Sequence, residues 1–245
     1  MQGKVFAITG AGSGIGQATA LRLAELGVQG LALSDVNQAG LEETKSLLAK
    51  YQTRVTLKKV DVSNVEQVDA WIRETVQEHG KIDGAANVAG IATGNGQITE
   101  SIDQSAWDKM IAVNLTGVMN CMRAQLQHIS RPGGSIVNVS STSGLRGLAN
   151  NAAYASSKFG VIGLTESAAA EYGKKGVRIN ALLPGPIDTK IFREGEAKGL
   201  FNEEIISGGT LMARMGKAEE VAKVLVFLLS DDASYVTGGE FSTFS

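Results

Sequence analysis

Hydrophobic and polar positions along the chain repeat one unit: a short apolar run, a turn marked by glycine or asparagine, then apolar residues at helical spacing. "KVFAITG" reads as a first strand and "GQATALRLAELG" as the helix after it, stopped at Gly27. "GLALSD" and "AGLEETKSLLAKY" form the second unit. "RVTLKKVDV" and "NVEQVDAWIRETVQEHG" form the third, with Asn64 as N-cap and Gly80 as the stop. "KIDGAANVAG" is the fourth strand, and a long helical stretch runs from about Asp103 to Ile129. "GGSIVNVSS" is strand five, "YASSKFGVIGLTESAAAEYGKKG" a helix, "VRINALLPG" strand six and "KAEEVAKVLVFLL" a last helix. "GEFSTF" is a candidate closing strand. Strands that alternate with helices predict an α/β fold: one doubly wound parallel sheet with helices on both faces, spanning residues 1–245 as a single domain. The segment from Ile187 to Gly216 breaks the rhythm. It follows a strand at the sheet edge where open α/β folds bind ligands.

Composition narrows the function more than the fold. The net charge is −2, and basic residues never run beyond pairs such as Lys174 and Lys175, so nucleic-acid binding has no electrostatic footprint. No apolar run approaches the roughly 18 residues of a membrane span. The opening "MQGKVFAITGAG" lacks the basic and long apolar regions of a signal peptide. The one cysteine, Cys121, fits a reducing compartment, so a cytoplasmic location is expected, and its helical surroundings suggest a packed thiol. His79 and His128 are far apart, and no spacing suggests a metal site.

Three features carry chemistry. "TGAGSGIG", Thr9 to Gly16, stands between a strand and a helix, the context in which a glycine-rich turn cradles a pyrophosphate against a helix N-terminus. Gly10 permits the tight turn, and Gly14 and Gly16 allow close approach. Asp35 ends the second strand, where a carboxylate accepts hydrogen bonds from ribose hydroxyls and repels a 2′-phosphate; capping the next turn is its other reading. Tyr154 and Lys158 lie four positions apart, on one face of a helix. Taken alone, that pair also describes a packed tyrosine beside a solvated lysine.

Together these segments resemble the short-chain dehydrogenase/reductase family over nearly the whole chain. The glycine turn has that family's spacing, "YASSK" matches its Tyr-x-x-x-Lys signature, and "VNVSS" places Ser141 at its catalytic serine. "IAVNLTG" supplies Asn114, "DV" at Asp61 and Val62 matches the adenine-contacting pair, and "NVAG" matches Asn87, Ala89 and Gly90 with Val88 as a departure. "RINALLPGPIDT" matches the nicotinamide-contacting stretch through Pro184, Gly185, Ile187 and Thr189. The tail departs too: after Thr237 and Gly238 comes "GEFSTFS" where relatives often have Val-Asp-Gly-Gly.

The resemblance implies a Rossmann fold and an NAD-dependent oxidoreductase that interconverts a secondary alcohol and a ketone. Asn114, Ser141, Tyr154 and Lys158 would be catalytic. Gly10, Ser13, Gly14, Ile15, Gly16, Asp35, Asp61, Val62, Asn87, Ala89, Gly90, Pro184, Gly185, Ile187 and Thr189 would hold the cofactor with Tyr154 and Lys158. Tyr154 would be the general acid and base, brought towards working pH by the positive charges of Lys158 and oxidised nicotinamide. Ser141 would hold the substrate oxygen, and Asn114 a water of the proton relay. A non-catalytic NAD(H)-binding regulator and a redox-neutral isomerase or epimerase remain alternatives. The 187–216 segment carries Ile191, Phe192, Leu200, Phe201, Leu211, Met212 and Met215, with a hinge candidate at Gly208 and Gly209. It reads either as an amphipathic helix packed on the body or as a lid over an apolar, even polycyclic, small-molecule substrate. The two long helices resemble those that pack across a two-fold axis in relatives, which implies a homo-oligomer, a homotetramer before a dimer.

Overall fold

The protein is described by a computed structural model over residues 1–92, 97–197, 199 and 202–243. Side-chain caps fix the element ends. The chain runs β1 (Val5–Thr9), α1 (Gly14–Glu25), β2 (Gly30–Asp35), α2 (Gln38–Leu48), β3 (Arg54–Lys59) and α3 (Val65–His79). Asn37 caps α2 by accepting from Gly40 N–H, Asn64 caps α3 by accepting from Gln67 N–H, and Gly80 closes α3 at φ 81°. Next come β4 (Gly84–Asn87), α4 (Gln104–Ile111), α5 (Gly117–His128), β5 (Ser135–Val139), α6 (Ala152–Tyr172) and β6 (Arg178–Pro184). The remaining elements are β7 (Ile187–Asp188), α7 (Lys190–Ala197), α8 (Glu203–Gly208), β8 (Gly216–Lys217), α9 (Ala218–Leu229) and β9 (Glu240–Thr243).

The seven strands order as β3-β2-β1-β4-β5-β6-β9, all parallel. Alternating residues of the strands feed two cores. Phe6, Ile8, Leu31, Leu33 and Val137 pack with α1, α2 and α9 on one face. Ala7, Ala32, Ala85, Ile136 and Ile179 pack with α3, α5 and α6 on the other. A sheet buried on both faces needs apolar residues on both, which explains the unbroken runs in its strands. From β1 the chain winds outward to β3 and returns as β4 on the other side of β1, which opens a crevice at the carboxyl ends of β1 and β4.

Two features depart from the expected elements. The helix expected over 103–129 is divided by a π-helical turn at Ala112–Thr116, which carries Asn114. The Ile187–Gly216 segment has its feet joined by a second, two-stranded parallel ladder, β7 with β8, pairing Ile187 with Gly216 and Asp188 with Lys217. Among the described residues no helix is long and apolar enough to cross a membrane, and no group of three or more His, Cys, Asp or Glu could hold a metal. Cys121 is buried, and burial pushes its thiol up to about 12, which fits a packed and unreactive side chain.

Candidate active site

The glycine turn is built by close contact. Gly10 and Gly14 adopt φ 68° and 54°, the left-handed region that glycine enters without strain. A Cβ on Gly16 would stand 2.1 Å from Gly10 O, so that position is closed to any side chain while α1 starts where it does. Ser13 is the extended N-cap of α1 and makes no side-chain capping bond, and Ile15 packs at the edge of the core. Thr9 Oγ1 accepts from Val88 N–H at 3.0 Å and Ala89 N–H at 3.1 Å, which ties the end of β1 to the chain leaving β4. On the far side, the Thr189 methyl would lie 3.4 Å from a Cβ on Gly14, so the segment after Pro184, Gly185 and Ile187 faces the glycine turn across the crevice.

Asp35 takes up its capping reading and braces the glycine turn as well. One carboxylate oxygen accepts from Gly12 N–H at 2.9 Å and the other from Asn37 N–H at 2.9 Å, so it braces the glycine turn and caps its own turn while standing at the crevice. Its ladder partner on β3 is Lys59. Neighbouring strands lie about 4.8 Å apart, so the main chain of an exposed lysine runs beside that of Asp35. Asp61 Oδ1 accepts from the Ser63 N–H and hydroxyl, and the buried Val62 packs on Gly117, where a Cβ would come within 2.6 Å of its methyl. Asn87 turns its amide inward. It exchanges hydrogen bonds with Gln125 and donates to Asn138 at 2.8 Å, which leaves its main chain towards the crevice.

The end of β5 meets α6 at the expected pair. Ser141 accepts from Ser143 N–H at 3.1 Å, and its hydroxyl stands beside the Tyr154 side chain, where it favours the phenolate. Lys158 is 4% exposed; its Nζ donates to Val139 O at 3.0 Å and lies 5.7 Å from the Tyr154 ring centre. The solvated-lysine reading therefore does not hold. Burial pushes the Lys158 ammonium down to about 8. Burial raises Tyr154 above its ordinary value, and the Ser141 hydrogen bond, which favours the phenolate, opposes it. The chain's own groups thus leave Tyr154 protonated rather than bringing it down, because desolvation outweighs the neighbouring hydroxyl. A Cβ on Gly90 would stand 3.3 Å from Asn114 Oδ1 and 3.6 Å from Lys158 Nζ, so glycine there keeps the approach to the lysine open.

Asn114 is fully buried, and its amide is spent on the protein. Oδ1 accepts from Ile91 N–H at 2.8 Å, while Nδ2 donates to Ile91 O at 2.9 Å and lies 3.1 Å from Met110 Sδ and 3.3 Å from Ser157 Oγ. Any water it holds must be held by its main chain, in the π turn where the regular carbonyl pattern is broken.

The 187–216 segment is partly anchored. Phe192 and Met215 are buried, whereas Ile191, Leu211 and Met212 are exposed; Leu200 and Phe201 lie outside the described residues. Gly209 caps α8 at an ordinary φ of −84°, and the left-handed residue of the segment's second half is Ala213 at φ 49°. Arg193 bonds Asp188 at 2.8 Å, Glu196 at 3.0 Å and Glu203 at 2.5 Å, and Arg214 forks onto both oxygens of Glu220. A concavity of about 750 Å³ at the foot of this segment, lined by Asp188, Glu203, Arg214 and Glu220 among others, includes none of the tyrosine–lysine group.

Comparison with known proteins matches this architecture closely. The family profile described as enoyl-(acyl carrier protein) reductase matches residues 10–243. The chain is 42% identical over 251 residues to a short-chain dehydrogenase/reductase, aba4, of Botryotinia fuckeliana, with 98% of this chain and 94% of that protein covered. It is 42% identical to levodione reductase of Leifsonia aquatica, covering 95% and 90%, and 39% identical to cyclohexanol dehydrogenase of an Acinetobacter species, covering 97% and 92%. The crystal structure of levodione reductase superposes with a TM-score of 0.91 at 40% identity, covering 98% of this chain and 96% of that one. Other similar structures include an NAD+-bound xylitol dehydrogenase (TM-score 0.91, 31% identity, 99% and 98% covered) and ElxO with NADP bound (0.89, 32%, 98% and 97%).

Proposed function

From the premise that the chain belongs to the short-chain dehydrogenase/reductase family, we propose that it is an NAD(H)-dependent enzyme interconverting a secondary alcohol and a ketone on a mostly apolar, cyclic substrate, with Tyr154 as general acid and base. The coarser part of that statement is secure: relatives along the whole length are ketone reductases and alcohol dehydrogenases, and solved neighbours hold nicotinamide nucleotides of both kinds. The observation that carries the rest is the meeting of Ser141, Tyr154 and a buried Lys158 at the open end of β5. A protein that only senses a nucleotide could use Lys158 to hold it, but would have no need of Ser141 and Tyr154 meeting beside it.

The chain's donors fit a nicotinamide dinucleotide. The glycine turn and the N-terminus of α1 present backbone N–H groups suited to a pyrophosphate, and Gly90 keeps clear the space before Lys158. The cofactor supplies the hydride acceptor or donor when bound. In alcohol oxidation, Tyr154 Oη as phenolate takes the substrate hydroxyl proton; in reduction, Tyr154 O–H gives that proton to the carbonyl oxygen. Ser141 has one O–H, which favours the phenolate before substrate binds and donates to the substrate oxygen once it is bound. Lys158 holds positive charge beside the ring, which favours the phenolate that burial alone disfavours.

The substrate reading rests on three loops that follow β4, β5 and β6, adjacent in the sheet. They carry the exposed Ile98, Leu145, Leu148, Ile191, Leu211 and Met212. Arg193 is engaged by carboxylates of the 187–216 segment and Arg214 by Glu220 of α9, which leaves neither to clamp an acid. Relatives named for levodione and for cyclohexanol, a cyclic secondary alcohol, agree. The test is turnover of cyclohexanol and larger cyclic secondary alcohols with NAD+, beside a short hydroxy acid and a free sugar. Cyclic alcohols are expected to lead in kcat/KM by tenfold or more; a lead for the acid or the sugar ends the apolar reading. Tyr154→Phe is expected to lower kcat by about 10²–10⁴-fold with cofactor affinity within a few-fold. Loss of cofactor binding instead would make the tyrosine a packing residue.

A further inference from the structure

The carboxyl end of β5 is unusual in what three consecutive residues do. Val139 O receives Lys158 Nζ at 3.0 Å. Ser140 Oγ donates to the main-chain carbonyl of the same Lys158 at 2.8 Å. Ser141 has its hydroxyl beside the Tyr154 side chain. Successive residues of one strand end therefore engage the head of the lysine, the backbone of the lysine and the tyrosine one helical turn before it. The Lys158 carbonyl lies within α6, so the Ser140 hydroxyl is an additional donor to a helix backbone rather than the answer to an unpaired group.

Ser140 is itself held firmly. Its N–H donates to Leu182 O at 2.8 Å, extending the β5–β6 ladder one step beyond the Val139–Leu182 pair. Its side chain is 3% exposed. The turn after Ser141 folds back over the contact: a Cβ on Gly144 would stand 2.8 Å from Ser140 Oγ and 3.0 Å from the Lys158 carbonyl carbon and from Ile162 Cδ1. With that little room, a water has no space to replace a missing hydroxyl.

We propose that Ser140 is a positioning residue for the reaction: its hydroxyl fixes the height of α6 against the tip of β5, and so sets the distance across which Ser141 and Tyr154 share the substrate oxygen. This rests on the reading of Tyr154 as acid and base. Ser140 touches neither substrate nor cofactor in this role. Loosening its bond lets α6 ride along the strand end, draws Tyr154 away from the Ser141 hydroxyl and weakens the support that hydroxyl gives the phenolate.

The test compares Ser140→Ala, Ser140→Thr and Tyr154→Phe, with cyclohexanol and NAD+ as probe substrates. In Ser140→Ala, kcat is expected to fall tenfold or more while KM for cyclohexanol and Kd for NADH stay within threefold. The acid limb of the kcat profile should move to higher pH, since a less favoured phenolate needs more alkaline conditions to form. Ser140→Thr, which keeps the hydroxyl, should recover kcat to within threefold of wild type and restore the limb. A purely structural role would lower the melting temperature without moving the limb, and that result overturns the proposal, as does wild-type kcat in Ser140→Ala. If the alanine chain does not fold, Ser140→Cys, of similar size and a weak donor, is measured instead, and a wild-type kcat and pH limb there overturn it equally. Wild-type turnover in Tyr154→Phe would show instead that the reading of the site had failed.

Discussion

The buried Lys158 and the half-buried Tyr154 have their pKa values moved from the ordinary ones, and loss of water is the first cause of both shifts. Lys158 is the sharper case. Its pKa falls from 10.5 to about 8 in the folded chain, so the unfolded chain binds the proton more tightly. The penalty of burying the charge is therefore full below about pH 8 and fades as pH rises towards 10.5. A shift of that size corresponds to about 3 kcal/mol. Lys158→Met, close in length and without the charge, is expected to abolish turnover and raise the melting temperature at pH 7, with the gain shrinking by pH 10. A lower melting temperature across that range would mean that the Nζ–Val139 O bond outweighs the desolvation. Asp35 raises a different question, because Lys59 stands next to it in the ladder. Asp35→Ala is expected to weaken NADH binding tenfold or more and raise the relative use of NADPH, since it removes an acceptor for the ribose hydroxyls and leaves the lysine charge. The ratio of Kd values for the two nucleotides checks this; an NADPH preference already present in wild type would mean that Lys59 rather than Asp35 decides.

Among the elements, α6 carries the chemistry and is keyed to the sheet at more than one level. Asn138 Nδ2 donates to Thr165 Oγ1 at 2.9 Å beneath the site, and Asn138 Oδ1 accepts from Asn87, so β4, β5, α5 and α6 share one buried polar network. Removing one partner strands a buried donor, so Thr165→Val is expected to cost about 1–3 kcal/mol in denaturant-induced unfolding, and Thr165→Ser much less. The covering segment is held differently. Apart from its short ladder and the buried Phe192 and Met215, it depends on ion pairs between side chains that are about one-third to one-half exposed, and such pairs are individually weak. It is therefore expected to be the first site of limited proteolysis, to be protected by NADH with a substrate analogue, and to be cut faster in Arg193→Gln. Equal cleavage with and without ligands would remove the lid reading. These elements also show what could be read in advance. Helix ends at Asn64 and Gly80 were legible because caps are local chemistry. The π turn around Asn114 was not, because one inserted residue barely disturbs a helical hydrophobic pattern. Nor was the β7–β8 ladder, since two-residue strands carry no period.

At the scale of the whole molecule, the doubly wound parallel sheet followed from alternation, whereas its strand order and the contacts between distant segments did not. Lys59 beside Asp35 depends on the register of β3, and the engagement of Asn114 with Ile91 and Ser157 depends on three separate elements meeting. The site motifs were legible because the chemistry demands particular residue types at fixed local spacing, as with Tyr154 and Lys158. Their partners were not, because many polar residues could have filled the same space. Assembly belongs to this scale as well. Met119 on α5 and Phe159 on α6 are exposed, and a chain that pairs these helices across a two-fold axis would cover them. A mass of two or four chains at micromolar concentration is expected, four before two; a clean single-chain mass would refute the pairing. The ladder between β7 and β8 has a consequence of its own. It holds residues 187–188 and 216–217 side by side, so the stretch between them enters and leaves the body at one fixed gate. Lengthening such a stretch adds little entropic cost, about 0.6 kcal/mol per doubling, and leaves the gate where it is. The intervening stretch is in effect an interchangeable cassette: a lineage could replace it wholesale, and with it the choice of substrate, while Ile187, α9 and the tyrosine–lysine pair keep their places.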